Sequence, residues 1–185
     1  NQHYTDYETI RAIYHALDAA GFKYRKALEP AVGSGNFVGN QPRLDWTTVD
    51  IDETNHQIVK LLYPDAKHYN ISFEDLKEGG FDLVISNVPF LENRGVRRNK
   101  PLPHIKTLHD FYFVHALDKV KDNGLVVFIT STGTMDKLDD SVRQEIVAKA
   151  DIIGAFRLPG GHFAANAQIS IFRCCHHVVD IALMK

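Results

Sequence analysis

The sequence predicts an α/β domain built on a mostly parallel sheet with helices on both faces. Two observations predict it. Helix-spaced and strand-like apolar segments alternate along the chain, the order expected of parallel strands joined by crossover helices. One strand also runs straight into a glycine-rich turn and a helix, an arrangement that lets such sheets hold a ligand at their carboxyl edge. The 185 residues are enough for one domain with a sizeable core, read as residues 1–185.

The elements follow in order. Ile10, Ile13, Tyr14, Leu17 and Ala20 lie at helical spacing over 8–20, and Gly21 supplies a stop. Ala27-Leu28 leads into the glycine turn, Trp46 to Ile51 reads as a strand, and a helix follows around 54–62. Phe81 to Ser86 is a buried strand that ends on Asn87-Val88-Pro89-Phe90. A helix is predicted over 109–121, turned by Asp122-Asn123-Gly124 into a strand from Leu125 to Thr130. Residues 140–150 are again helical, Ile152 to Leu158 is a strand stopped by Pro159, and Val178 to Met184 is a final apolar strand.

Residues 91–107 break the pattern. They have no period, contain Pro101 and Pro103, and carry Arg94, Arg97, Arg98, Lys100 and Lys106. A long irregular loop after a strand end is expected to be functional, with a solvated surface loop as the plain alternative. The net charge of -2 is nearly neutral, so any positive surface for nucleic acid must be local, as at 94–106, or lie on another domain. Cys174 and Cys175 are adjacent and make no disulfide framework, which fits a reducing, cytoplasmic compartment. No apolar run reaches membrane-spanning length, and no signal peptide is recognisable. A start at Asn1 without Met is expected of a piece of a larger protein.

The chemistry is concentrated in Leu28-Glu29-Pro30-Ala31-Val32-Gly33-Ser34-Gly35-Asn36-Phe37. Glycines let the backbone approach a ligand and adopt positive φ. The dinucleotide spacing G-x-G-x-x-G is not met, because Gly39 falls one residue late, and no Lys follows for a phosphate loop. Glu29 would repel pyrophosphate but suits a ligand with cationic groups, such as the ammonium and sulfonium of S-adenosylmethionine. Past the next strand, Val49-Asp50-Ile51-Asp52 offers Asp50 to two ribose hydroxyls, while Asp52 is placed to cap a helix.

Asn87-Val88-Pro89-Phe90 suits an amino-group acceptor. An adenine amino nitrogen is a poor nucleophile because its lone pair is delocalised into the ring. The Asn87 side-chain oxygen and the Val88 carbonyl could each accept one of its hydrogens and leave the lone pair aimed at a methyl group. Pro89 fixes the turn, and Phe90 offers a face for the base to stack on.

Three other groupings are set aside. Adjacent ligands in Cys174-Cys175-His176-His177 point to opposite sides of an extended segment, against a zinc site, and no metal is expected. His109-Asp110 has no partner motif for metal hydrolysis, so packing or helix capping is the better account. Ser131-Thr132-Gly133-Thr134 lacks the His/Asp context of a nucleophile and is expected to end a strand beside the cofactor.

Taken together, Leu-Glu-Pro-x-x-Gly-x-Gly-Asn-Phe, Val-Asp-Ile-Asp and Phe-Asp-Leu-Val-Ile-x-Asn-x-Pro-Phe resemble the adenine-N6 DNA methyltransferases, most of all those of large restriction–modification or helicase-fused proteins. Leu108 to Phe113, Arg143 and Ala155-Phe156-Arg157-Leu158-Pro159 extend the likeness, which covers about residues 3–167. Val88 replaces the commoner Pro, at a position that acts through its carbonyl. The resemblance implies a Rossmann-like methyltransferase fold of about seven strands with the last antiparallel. It implies S-adenosylmethionine held by Tyr4, Thr5, Glu29, Pro30, Gly33, Gly35, Asn36, Phe37, Asp50, Ile51, Phe73, Glu74 and Asp75. It also implies a flipped DNA adenine at Asn87 to Phe90, duplex contacts from Arg94, Arg97, Arg98 and Lys100, and an additional recognition or helicase domain. From Gln168 to His177 the likeness fails, and this stretch reads as an insertion or altered hairpin. Methylation of RNA adenine or protein glutamine by the same site, and a degenerate non-catalytic binding module, are the alternatives.

Overall fold

In the computed structural model, which describes residues 5–89, 105, 107–158 and 167–175, seven strands form one sheet. They are β1 (Lys26–Glu29), β2 (Asp45–Val49), β3 (Lys67–Tyr69), β4 (Phe81–Asn87), β5 (Val120–Ser131), β6 (Ala150–Arg157) and β7 (Ala167–Cys174), in the spatial order β3-β2-β1-β4-β5-β7-β6. Strands β1 to β5 pair in parallel, and β7 runs antiparallel to both β5 and β6. This is the expected mostly parallel sheet with an antiparallel last strand.

Among the described residues six α-helices flank the sheet: α1 (Tyr7–Ala19), α2 (Asn36–Asn40), α3 (Glu53–Leu62), α4 (Leu108–Leu117), α5 (Gly133–Asp136) and α6 (Ser141–Val147). Alternate strand residues face opposite sides, so two cores result. Leu28, Val84, Val126 and Phe128 pack with Phe113 and Leu117 of α4 and Ile146 of α6. Ala27, Leu83, Ile85 and Val127 pack with Ile10, Ile13 and Leu17 of α1 and Val59 of α3. Helix α1 begins on an Asp6 side-chain cap to the Thr9 amide and is followed by Gly21 at φ 81°, as its predicted stop requires.

Two stretches depart from expectation. The predicted helix over 109–121 stops at Leu117, and β5 already starts at Val120. Asp122-Asn123-Gly124 therefore lies inside the strand as a bulge, where pairing shifts from Phe81↔Val120 to Leu83↔Leu125. Asn123 takes φ 60°, and a Cβ on Gly124 would stand 2.5 Å from Val120 Cγ2 and 3.0 Å from the Phe81 carbonyl oxygen. A turn signature is thus realised as a bulge because Val120 still finds a partner across the sheet.

The second departure is the tail. Residues Gln168 to Cys174, read as an insertion, belong to the seventh strand itself, while the predicted strand Val178 to Met184 lies outside the described residues. Gln168 and Ser170 hid it: both are buried in the strand, with the Gln168 amide donating to the Ser170 hydroxyl at 3.3 Å, so the strand does not read as an apolar run. Cys174 is buried in the core, whereas the Cys175 thiol faces Asp151 Oδ2 at 3.1 Å.

Candidate functional site

Because β1, β2, β4 and β5 are parallel, Glu29, Asp50, Asn87 and Ser131 all stand at one edge of the sheet. The glycine turn between β1 and α2 forms its centre. It is tied down on three sides: the Val32 amide donates to the Val49 carbonyl at 3.1 Å, the Gly35 amide to the Val32 carbonyl at 2.9 Å, and the Ser86 hydroxyl to the Ala31 carbonyl at 3.3 Å. Gly33 and Gly35 have φ of 52° and 78°, a region that strains any residue with a Cβ. Pro30 is buried beneath the turn.

Glu29 is only 2% exposed. Its carboxylate accepts the Val38 amide, in the first turn of α2, while Oε2 has no partner among the described residues. Burial pushes its pKa well above the carboxylate range, and the nearby Asp50 charge adds to this. Close by, the Thr5 carbonyl accepts from Asn36 Nδ2 at 2.9 Å, and buried Thr5 Oγ1 also lacks a partner among the described residues. Two orphaned buried oxygens beside an open glycine turn are what a ligand bearing hydrogen-bond donors and positive charge would satisfy. The Phe37 side chain instead points into the core, and its carbonyl accepts from the Tyr14 hydroxyl at 3.2 Å.

Asp50 is heavily engaged. Its Oδ2 accepts from the Gly33 amide at 2.8 Å and Asn55 Nδ2 at 3.2 Å, and its Oδ1 accepts from the Asp52 amide at 2.9 Å. A carboxylate has about four acceptor positions, so Oδ1 retains room for one more donor. Asp52 caps α3 through the Asn55 amide at 3.1 Å, as its position suggested. Next to them Ile51 is 78% exposed, an apolar surface free to cover a flat ligand.

Asn87 ends β4 opposite Ile129 and is half-buried, Val88 is buried and donates its amide to the Ile129 carbonyl at 3.2 Å, and Pro89 is half-buried. Phe73, Glu74 and Asp75 form one 3-10 turn whose N-cap position is Ser72. The Glu74 and Asp75 side chains are half-buried, whereas Phe73 is buried and stacks on Tyr112 with ring centroids 5.4 Å apart. Tyr4, Phe90, Arg94, Arg97, Arg98 and Lys100 lie outside the described residues.

Three residues near this edge were not picked out from sequence. Tyr112 of α4 stacks on Phe73, which brings it to the same edge, and burial together with the Asp50 charge raises its pKa. Only its place in the aromatic run Phe111-Tyr112-Phe113 hinted at this. Asn55 and Tyr63, discussed below, gave no signal, because their meaning depends on where α3 lands. His109 and Asp110 do not cap α4, whose N-cap is Thr107. Asp110 is fully buried and ion-paired with Lys137 after α5, and His109 Nε2 lies 3.1 Å from the Thr107 hydroxyl. Ser131 ends β5 as expected, and Gly133 then opens α5.

No protein-family model matches the chain. Over its whole length it is 27% identical to the defense against restriction protein B of Escherichia phage P1, of which it spans 8%. Its fold is that of solved methyltransferases. A Listeria monocytogenes protein assigned to the class I S-adenosylmethionine-dependent methyltransferases superposes with a TM-score of 0.75 at 18% identity, covering 95% of this chain and 61% of that one. The N-methyltransferase NodS of Bradyrhizobium japonicum, also solved with S-adenosyl-L-homocysteine, gives 0.64 at 12% identity over 92% of this chain and 88% of that one. TrmN of Thermus thermophilus gives 0.64 at 15%, over 89% and 48%. Among the described residues no helix is long and apolar enough to cross a membrane.

Proposed function

We propose that this chain is the catalytic core of an S-adenosylmethionine-dependent methyltransferase acting on the N6 amino group of adenine in DNA. The observation that carries the reading is one shared sheet edge. It joins a glycine turn with an orphaned buried carboxylate, Glu29, to an Asn-x-Pro turn at the end of β4. S-adenosylmethionine would supply an activated methyl group there. Glu29 and Thr5 would receive its cationic methionine end, Asp50 a ribose hydroxyl, and Ile51 and the Phe73 turn its base. The half-buried Asn87 and the Val88 carbonyl would hold the hydrogens of the target amino group.

DNA adenine as the substrate is supported by the motif resemblance and by the likeness to a phage protein named for defense against restriction. A flipped base would reach Asn87 from outside the duplex. Partner domains for target recognition or a helicase would lie elsewhere in a longer protein, as the 8% span of that relative allows.

The test is direct. The wild-type chain is offered cofactor with labelled methyl and, in separate reactions, duplex DNA, RNA and a glutamine-containing protein. Label in DNA recovered as N6-methyladenine supports the reading; label only in RNA or protein overturns the substrate. Asn87→Ala is expected to lower transfer by about a thousandfold or more while cofactor affinity stays within about twofold. Loss of cofactor binding in that variant would mean that the catalytic site is misplaced.

A further inference from the structure

The glycines of the loop face different ways, and this separates their jobs. A side chain added at Gly33 would meet nothing within 4 Å, so Gly33 faces open space. A Cβ at Gly35 would stand 2.6 Å from Tyr63 Cε2 and 3.0 Å from Val59 Cγ1. At Gly39 it would stand 2.5 Å from the Tyr63 hydroxyl oxygen. Gly39 is therefore a glycine because something is packed behind it, and at Gly35 the same packing adds to the demand of its positive φ.

That something is one stripe of α3. Asn55, Val59 and Tyr63 recur every fourth residue and so lie along one side of the helix and its C-terminal cap. Asn55 holds Asp50, which in turn accepts the Gly33 amide. Val59 is fully buried against Gly35. Tyr63 is anchored at its backbone: its amide donates to the Val59 carbonyl at 2.8 Å, and its carbonyl lies 2.8 Å from His68 Nε2. His68 Nδ1 is in turn 2.7 Å from the Thr48 hydroxyl of β2. The ring is thus presented to the loop from a fixed base.

We infer that the Asn55–Val59–Tyr63 stripe is the positioning wall of the cofactor loop. It sets the backbone of Gly33 to Gly39 and thereby the cofactor's affinity, without touching the cofactor. The inference rests on the cofactor reading above. It also accounts for the late third glycine: Gly35 and Gly39 are four residues apart because both face the same Tyr63 ring, a constraint unrelated to dinucleotide spacing.

A size-exchange experiment tests it, with S-adenosylmethionine and S-adenosylhomocysteine as calorimetric probes. Gly39→Ala places a methyl group where the Tyr63 hydroxyl stands, and Tyr63→Phe removes that hydroxyl. Gly39→Ala is expected to weaken binding about tenfold, Tyr63→Phe alone by less than about twofold, and the double variant to return within about threefold of wild type. Circular dichroism and thermal melting establish that each variant folds. Wild-type affinity in Gly39→Ala, or no recovery in the double variant, overturns the inference. Hydrogen exchange without cofactor provides an arm independent of ligand binding. Tyr63→Leu is expected to speed exchange of the Gly35 and Val38 amides by about fivefold or more over wild type, and unchanged exchange overturns the wall. If the wild-type chain binds neither probe, the cofactor reading fails and the exchange result alone decides on the wall.

Discussion

At the scale of the residue, Glu29 and Asp50 carry the sharpest consequences. Glu29 is buried with one oxygen unmatched among the described residues, and its pKa is raised in the folded chain. An unfolded Glu titrates near about 4.3, so above that pH the folded protein holds a proton that the unfolded chain releases. By linkage, the stability of the ligand-free protein falls as pH rises from the unfolded value through the raised folded one. Glu29→Gln removes this term. Its thermal midpoint should exceed that of wild type at pH 8 and match it more closely near pH 4.5, while cofactor binding weakens about tenfold or more. Melting curves across that range check it, and parallel pH profiles for the two proteins would contradict it. Asp50 differs because, beside its proposed ribose contact, it holds the glycine turn and the start of α3. Asp50→Ala should weaken cofactor binding by about 1.5–3 kcal/mol, and it should also destabilise the empty protein, since the Gly33 and Asp52 amides lose their acceptor. Calorimetry with denaturant titration separates the two effects. An unchanged dissociation constant would move the ribose contact elsewhere.

At the scale of the element, α4 is held to the site by charge as well as by packing. Asp110 is fully buried in its first turn and paired with Lys137, whose side chain is 25% exposed. Val88, Ile105 and Phe111 lie in the same apolar cluster, so this pair fixes the start of α4 next to the Asn87 turn. Removing one partner of such a pair strands a buried charge. Lys137→Met is expected to cost about 3 kcal/mol, the low end for buried pairs because the ammonium keeps some water. Asp110→Asn in that background should recover at least about half. Chemical denaturation measures both, and a cost below about 1 kcal/mol would show the pair to be dispensable. The elements also show what could be read in advance. Strands such as Phe81 to Asn87 and the Glu29-to-Phe37 turn were legible because burial on both faces and the need for positive φ leave direct marks on residue type. Strand β7 was not, because Gln168 and Ser170 satisfy each other inside it. Nor was the early start of β5, since Asn123-Gly124 signals a reversal equally well for a turn or a bulge. Tyr63 and Asn55 were silent for a different reason: their partners Gly39 and Asp50 are brought to them only by the crossover of α3.

At the scale of the molecule, the candidate site belongs to no single element. Thr5 precedes α1, Glu29 ends β1, Asp50 follows β2, Phe73 lies beyond β3, Asn87 ends β4, and Tyr112 sits on α4. These contributors straddle both cores, which are separated by the sheet. A ligand that bridges them therefore couples to unfolding of the whole domain. Binding only to the folded state stabilises it by about 2.7 kcal/mol at a hundredfold excess of ligand over its dissociation constant. For a chain of this size that amounts to a rise of about 5–10 °C in the unfolding midpoint. Saturating S-adenosylmethionine should produce that rise in one cooperative transition seen alike by far-ultraviolet circular dichroism and by fluorescence of buried Trp46 beside β1. Two separated transitions, with only one of them responding to ligand, would mean that the glycine-turn half of the sheet binds cofactor independently of the half that carries β6 and β7. No shift at millimolar cofactor would remove S-adenosylmethionine as the ligand, whatever the geometry of the edge.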